Sequence, residues 1–198
     1  MRFHEPLNDI LGNKVQVKLL RVLVRTKGSF TGRELARLIG YSQNQTRLAL
    51  EELERNGLVV RQSAGRAYLY SLDNENIVIS DFLEEGFRLE DALLNRLATV
   101  YFEEMGSNLV SVILFGSIAK GEERPESDVD LVLIVKDKAN LKVIEDHASE
   151  ASLKVTRRFG NQASAILVKK ADFEKKMKQK KGLWREIADT GIELFPGT

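Results

Sequence analysis

The 198-residue chain has no cysteine and only two histidines, His4 and His147. The first absence excludes a disulfide framework and any thiolate nucleophile or metal ligand. The second excludes a multi-histidine zinc centre. No apolar run reaches the ~18–20 residues needed to span a membrane. The N-terminal stretch MRFHEPLNDI also lacks the apolar segment of a signal peptide. The expectation is a soluble cytoplasmic protein with no membrane partner. Hydrophobic residues make up 43% of the chain and charged residues 30%, enough apolar material for one large core or two small ones.

Net charge is nearly absent, but only as a sum. Residues 1–75 hold 12 Lys/Arg against 8 Asp/Glu, and residues 76–198 hold 18 against 21. Two halves of opposite sign suggest two jobs.

Periodicity divides the chain further. Residues 14–26 carry a helical stripe of Val15, Leu19, Leu20, Leu23 and Val24. Thr31 and Glu34 form a capping-box pattern for a second helix ending at Gly40. Ser42 opens a third helix with Thr46, Ala49, Leu50 and Leu53 inward, stopped by Gly57. Two β-prone runs, Leu58–Arg61 and Ala67–Leu72, flank a hairpin tip at Gly65. This layout over residues 14–73 resembles the winged helix-turn-helix domains of bacterial and archaeal transcription regulators. The resemblance implies that the third helix enters the major groove of double-stranded DNA. Ser42, Gln43, Asn44, Arg47 and Leu48 would face outward there. Asn and Gln pair with adenine, and Arg with guanine. Arg61 and Arg66 on the hairpin would reach phosphates or the minor groove. Glu51, Glu52 and Glu54 make the later turns a poor phosphate surface. A winged helix used only for protein contact is the competing reading, and a palindrome reader would want a two-fold dimer.

A connector over residues 76–106 is expected to be helical. Phe82, Leu83, Leu89, Leu93, Leu94, Leu97 and Tyr101 recur on it at 3–4 spacing, and Gly86 is a candidate break. Beyond it, strands at Val110–Phe115, Val129–Val135 and Ala163–Val168 alternate with a helix over Ala139–Arg158. A lysine-rich helix at 169–181 and a last amphipathic helix around Trp184 and Ile187 follow. The fold class is α+β, with domains at 1–75, 76–106 and 107–198 and a small mixed sheet in the last.

The chemistry concentrates in Leu114-Phe115-Gly116-Ser117-Ile118-Ala119-Lys120-Gly121 and Ser127-Asp128-Val129-Asp130-Leu131. A strand ends at Phe115, and Gly116 allows a tight turn with close approach to a ligand. Amides at the start of the following helix could cradle phosphate, with Lys120 adding a positive charge. Asp128 and Asp130 at a strand start converge on one face and are hard oxygen donors suited to Mg²⁺ or Mn²⁺ shared with substrate phosphates.

The stretch resembles the minimal nucleotidyltransferases of the DNA polymerase β superfamily, whose pattern is Gly-Ser, a spacer of about ten residues, then Asp-x-Asp. Residues 116–131 follow it throughout, including Ser127. The resemblance implies that Gly116 and Ser117, with Lys120 and Ser127 beside them, hold the triphosphate of an NTP such as ATP. Asp128 and Asp130 would bind the metal and act in catalysis. A protein or small-molecule hydroxyl would accept the nucleotide. Resemblance to antitoxin members implies a partner toxin or acceptor protein.

One family feature is missing. The strand expected to supply a third carboxylate, Asn161–Lys169, has no Asp or Glu, and Ser164 stands about where it is sought. Asp146, Glu150 and Asp172 are not obvious substitutes. Three readings stay open: a slow enzyme, a residue supplied by a partner, or nucleotide sensing by a degenerate domain in a DNA-binding regulator. Outside the motif, the lysines of 169–181 read as a solvated face or a polyanion contact. Trp184 and Phe195 read as core, and His147 as surface.

Overall fold

The computed structural model describes residues 11–197, so His4 lies outside it. The chain separates into two compact units, one ending at Asp91 and the other beginning at Ala92.

The first unit opens with α1 (Lys14–Thr26), whose first turn is capped by the Asn13 side chain accepting the Val15 amide at 2.9 Å. A two-residue strand, β1 (Phe30–Thr31), leads to α2 (Gly32–Ile39) and α3 (Gln43–Arg55). Both start at capping boxes, Thr31 with Glu34 and Ser42 with Gln45, which satisfy otherwise orphaned amides. The hairpin of β2 (Val59–Ala64) and β3 (Ala67–Leu72) closes at the Ala64↔Ala67 pair, with Gly65 and Arg66 as its tip. Strand β1 adds antiparallel to β3, giving the order β1-β3-β2. Leu19, Leu20 and Leu23 meet Leu35, Leu50, Leu53 and Leu58 in a core that excludes water from every one of them. Three helices and a β-wing around one core are the winged helix-turn-helix arrangement.

The connector begins as a π-helical turn, Ile79–Leu83, and continues as α4 (Glu84–Met105) straight through the exposed Gly86, where no break occurs. The unit boundary falls inside this helix. The wide first turn shifts the phase of the apolar stripe. In the first unit Ile79, Leu83 and Phe87 are buried, whereas Phe82 and Leu89 are exposed. In the second unit Leu97 and Tyr101 are buried while Leu93 is exposed. The continuous stripe expected from spacing is therefore only partly a core stripe. No helix among the described residues is long and apolar enough to cross a membrane.

The second unit is built on a four-stranded mixed sheet of order β6-β5-β4-β7. Strand β4 (Leu109–Phe115) runs antiparallel to β5 (Val129–Val135), and β5 runs parallel to β6 (Ala163–Lys169). A short edge strand, β7 (Ile192–Leu194), pairs antiparallel with β4. Between the strands lie α5 (Gly116–Ala119), α6 (Leu141–Phe159), α7 (Lys170–Gln179) and α8 (Leu183–Thr190). The sheet is covered on both faces, which explains why β5 is apolar nearly throughout. Val129, Leu131, Leu133 and Val135 pack with Ala151 and Val155 of α6 and with Leu97 and Tyr101 of α4. Val132 and Ile134 point the other way, to Phe115, Ile187, Phe173 and Trp184. Trp184 is half-buried edge-on to Phe173, but Phe195, expected in the core, is 60% exposed. His147 is on the surface.

Candidate functional site

In the second unit, the end of β4 and the start of β5 meet. Phe115 stands opposite Asp130 in the antiparallel register. The next residue, Gly116, has φ +77°, and a Cβ built on it would lie 2.5 Å from Asp130 Oδ2. Any other residue would suffer both left-handed strain and collision with the carboxylate. The Gly-Ser turn and Asp130 thus form one contact. The turn that follows, α5, is the short helix expected there, a single four-residue turn. What it offers an anion is backbone amides and the nearby Lys120.

Asp130 is half-buried and Asp128 exposed. Burial raises the Asp130 carboxyl above the usual carboxylate range, and the charges of Asp128 and then Glu186 raise it further. Neither aspartate has a cationic partner among the described residues. Two neighbouring carboxylates with hard oxygen donors and uncompensated charge fit a divalent cation shared with phosphates. No three His, Cys, Asp or Glu side chains among the described residues converge into a complete metal site.

Ser127 serves the loop that delivers these aspartates: its hydroxyl accepts the Arg124 amide at 2.9 Å. Asn161, which the sequence reading passed over, donates from Nδ2 to the carbonyls of Pro125 at 3.0 Å and Ser127 at 2.9 Å. A lone Asn beside a glycine-terminated helix gives no signal of such a tie. In the parallel register Ser164 stands beside Asp130, so β6 supplies a hydroxyl where a third carboxylate was sought.

Lys120 does not point freely into solvent. Its Nζ donates to Glu186 Oε1 of α8 at 2.6 Å, and this pairing raises the ammonium pKa. Glu186 was not among the residues singled out by pattern. Four of the lysines of 169–181 lie on α7, among them Lys176, which lies over the Trp184 ring at 4.8 Å.

In the first unit Ser42, Gln43, Asn44, Arg47 and Leu48 are all exposed on the first turns of α3. Arg47 donates to Glu51 at 2.5 Å and to Asn44 at 3.1 Å. Arg61 pairs with Glu54 at 3.2 Å and lies over the Tyr68 ring at 4.6 Å, while Arg66 is exposed at the wing tip. Glu52 accepts from the buried Gln16 at 2.6 Å. All three acidic residues of α3 are therefore engaged by protein donors. A cleft of about 660 Å³ joins the helix to the wing, and it brings Gln43, Asn44 and Arg47 together with Arg33 and Tyr68. Pattern reading missed the last two because they come from α2 and β3.

Residues 99–196 match the family model described as Polymerase beta, Nucleotidyltransferase. A protein of Methanocaldococcus jannaschii named for protein adenylyltransferase activity is 30% identical over 93 residues, 44% of this chain and 63% of the relative. The chain thus spans less than two thirds of that relative's length. The solved structure of HlyU from Vibrio cholerae, a likeness of the N-terminal half, is 22% identical, with 44% of this chain and 87% of that one covered and a TM-score of 0.36. A chain of a toxin–antitoxin structure with AMP-PNP is 16% identical, covering 52% of this chain and 74% of that one, TM-score 0.36. The match to the polymerase β nucleotidyltransferase model thus lies in the C-terminal half of this chain, over the sheet that carries Gly116, Asp128 and Asp130.

Proposed function

We propose that the protein transfers a nucleoside monophosphate from an NTP, ATP foremost, to a hydroxyl of a protein or small molecule, and that its winged helix binds double-stranded DNA. The carrying observation is the contact between Gly116 and Asp130, which ties the Gly-Ser turn to the Asp pair. Gly116 and Ser117 would receive the triphosphate on backbone amides, with Lys120 adding positive charge. Asp128 and Asp130 would hold Mg²⁺ or Mn²⁺, which when bound supplies Lewis-acid polarisation of the phosphoryl oxygens. Ser127 and Asn161 keep the loop in place so that the two carboxylates stay aligned. In the reaction the acceptor oxygen bonds to the α-phosphorus, the bond to the β-phosphate oxygen breaks, and pyrophosphate leaves with the electron pair. The acceptor proton passes to solvent. A protein acceptor is favoured by the name of the archaeal relative and by resemblance to antitoxin members, which also suggests a partner toxin.

The test uses [α-³²P]ATP and Mg²⁺ with the wild type and Asp128→Ala/Asp130→Ala. Label transfer and pyrophosphate release by the wild type alone support the reading. Equal values for both proteins overturn it.

A second reading has its own observation. Ser164 in register with Asp130 leaves β6 without a carboxylate. A regulator whose domain senses nucleotide without turnover would show nucleotide-dependent DNA affinity and no pyrophosphate. A dimer reading a palindrome belongs to both readings.

A further inference from the structure

We propose that strand β6 is an interaction surface whose partner is a second copy of this chain, paired antiparallel across a two-fold axis. This goes beyond the transferase reading and does not depend on it. Among the described residues β6 is the outer strand of its sheet and pairs with β5 alone. The register runs from Ala163 to Lys169 without a bulge. From Ala163 to Val168 the strand has no charge and no proline. Bulges, charges and prolines are the devices that keep open edges from pairing. The opposite edge shows the contrast, because β7 is only three residues long. On β6 Ser164 and Ala165 are exposed.

The backbone fixes which groups are on offer. The Val129 amide donates to the Gln162 carbonyl, so Gln162 faces β5. The next residue turns the other way, and the Ala163 amide donates to Thr156 Oγ1 of α6 at 3.2 Å. Along a strand these directions alternate. The N–H and C=O groups of Ala165 and Leu167 therefore point out of the sheet. A two-fold antiparallel match satisfies all four. Ala165 exchanges hydrogen bonds with Leu167 of the second copy, and Leu167 with Ala165 of the second copy. Ile166 then meets its own counterpart on the axis.

Charge selects a second copy as the occupant. A two-fold axis through the paired edges keeps both α6 helices on one face of the joined sheet, antiparallel to each other. In the first half of α6, Glu145, Asp146 and Glu150 outnumber Lys142. The second half has Lys154, Arg157 and Arg158 and no acid. Lys154 is held by Glu104, while Arg157 and Arg158 are exposed. Antiparallel helices set each acidic half beside the other copy's basic half. Between α6 and β6 runs a groove of about 650 Å³, lined by small side chains such as Ser149 and Ala165. Leu153 also lines it and is 51% exposed. The second α6 would cover this groove and take the leucine out of water.

The test follows the full chain by sedimentation velocity across a concentration series, with circular-dichroism melting as the check on folding. Ala165→Pro removes an outward amide and no bond to β5, a place where an edge strand tolerates proline. It should weaken the dimer about tenfold or more, the scale of two lost hydrogen bonds. Glu145→Lys/Asp146→Lys and Arg157→Glu/Arg158→Glu each bring like charges together and should each weaken self-association. An equimolar mixture of the two should dimerise again. Because the chain has no cysteine, the thiol of Ile166→Cys can bridge only to its own copy. Its Cα would lie about 4.5 Å from its counterpart, within disulfide reach. Mild oxidation should give a covalent dimer that Ala165→Pro/Ile166→Cys does not form. A wild type that stays monomeric overturns the proposal and leaves the edge to a strand of a different protein. A dimer that survives Ala165→Pro and both charge reversals, or a cross-link that survives the proline, overturns it as well.

Discussion

Gly116 sits so close to Asp130 that a Cβ on the glycine would be 2.5 Å from the carboxylate oxygen Oδ2. A side chain on the turn would have to move the acid's carboxylate. Gly116→Ala must relieve a left-handed φ of +77° and displace the carboxylate at once. We expect a stability loss of about 1–3 kcal/mol from the backbone conformation, read as a lower urea midpoint. Mn²⁺ binding should fall with it. A variant that keeps both would show that the contact is not tight in solution.

Asp130 gives a prediction whose sign follows from its surroundings. Burial, Asp128 and Glu186 all raise its carboxyl in the folded state. A raised acid holds its proton more tightly when folded than unfolded. Its contribution therefore favours folding at low pH and is lost as pH rises through the folded pKa. At neutral pH the charged carboxylate works against folding. Asp130→Asn should melt at the same or a higher temperature than wild type at pH 7 without metal, and the difference should shrink on acidification. Mn²⁺ should stabilise the wild type, by about 2.7 kcal/mol at a hundredfold excess over Kd, and not the variant. A loss of metal-free stability at pH 7 in Asp130→Asn would contradict the sign.

What was legible in the chain was local or bound to a fixed spacing. The Thr31–Glu34 capping box and the Gly-Ser to Asp-x-Asp interval each lie within a few residues or within one loop. The pairing of Lys120 with Glu186 spans 66 residues and carries no periodic trace. Strand β7 is three residues long, too short for alternation, and exists because the edge of β4 offers it backbone partners. Phe82 and Leu89 show the other limit. Apolar character names candidates for a core, but the phase set by a π-helical turn decides which ones reach it.

Tyr101 tests the packing under the sheet. It is fully buried, its pKa is raised by that burial, and its hydroxyl shares a 2.9 Å hydrogen bond with Ser152 on α6. Ser152 is only half-buried. Tyr101→Phe removes the buried hydroxyl and should cost about 0.5–1.5 kcal/mol. Ser152→Ala instead strands that hydroxyl in the core, costing about 1–3 kcal/mol. Denaturant unfolding of both variants should rank the serine change as the worse. The reverse order would mean that the tyrosine hydroxyl finds another partner.

Arg47 separates recognition from stability in the winged helix. In the free protein it spans Asn44 and Glu51 on the exposed side of α3. Such an i,i+4 surface pair is worth only about 0.3–0.5 kcal/mol, so Arg47→Ala should unfold at nearly the wild-type midpoint. On DNA the same change removes a donor fork from the groove and leaves Glu51 unpaired beside phosphates. Affinity for a selected site should drop by about 1–3 kcal/mol, with relaxed preference at one base pair. Arg66→Ala at the wing tip should weaken all sequences alike and lower the salt slope by about one. Fluorescence anisotropy on duplexes selected from a randomised pool measures both. If selection returns no duplex bound more tightly than random DNA at ~0.15 M salt, or if Arg47→Ala binds as wild type does, the groove-reading role of α3 fails and protein contact becomes the function of the wing.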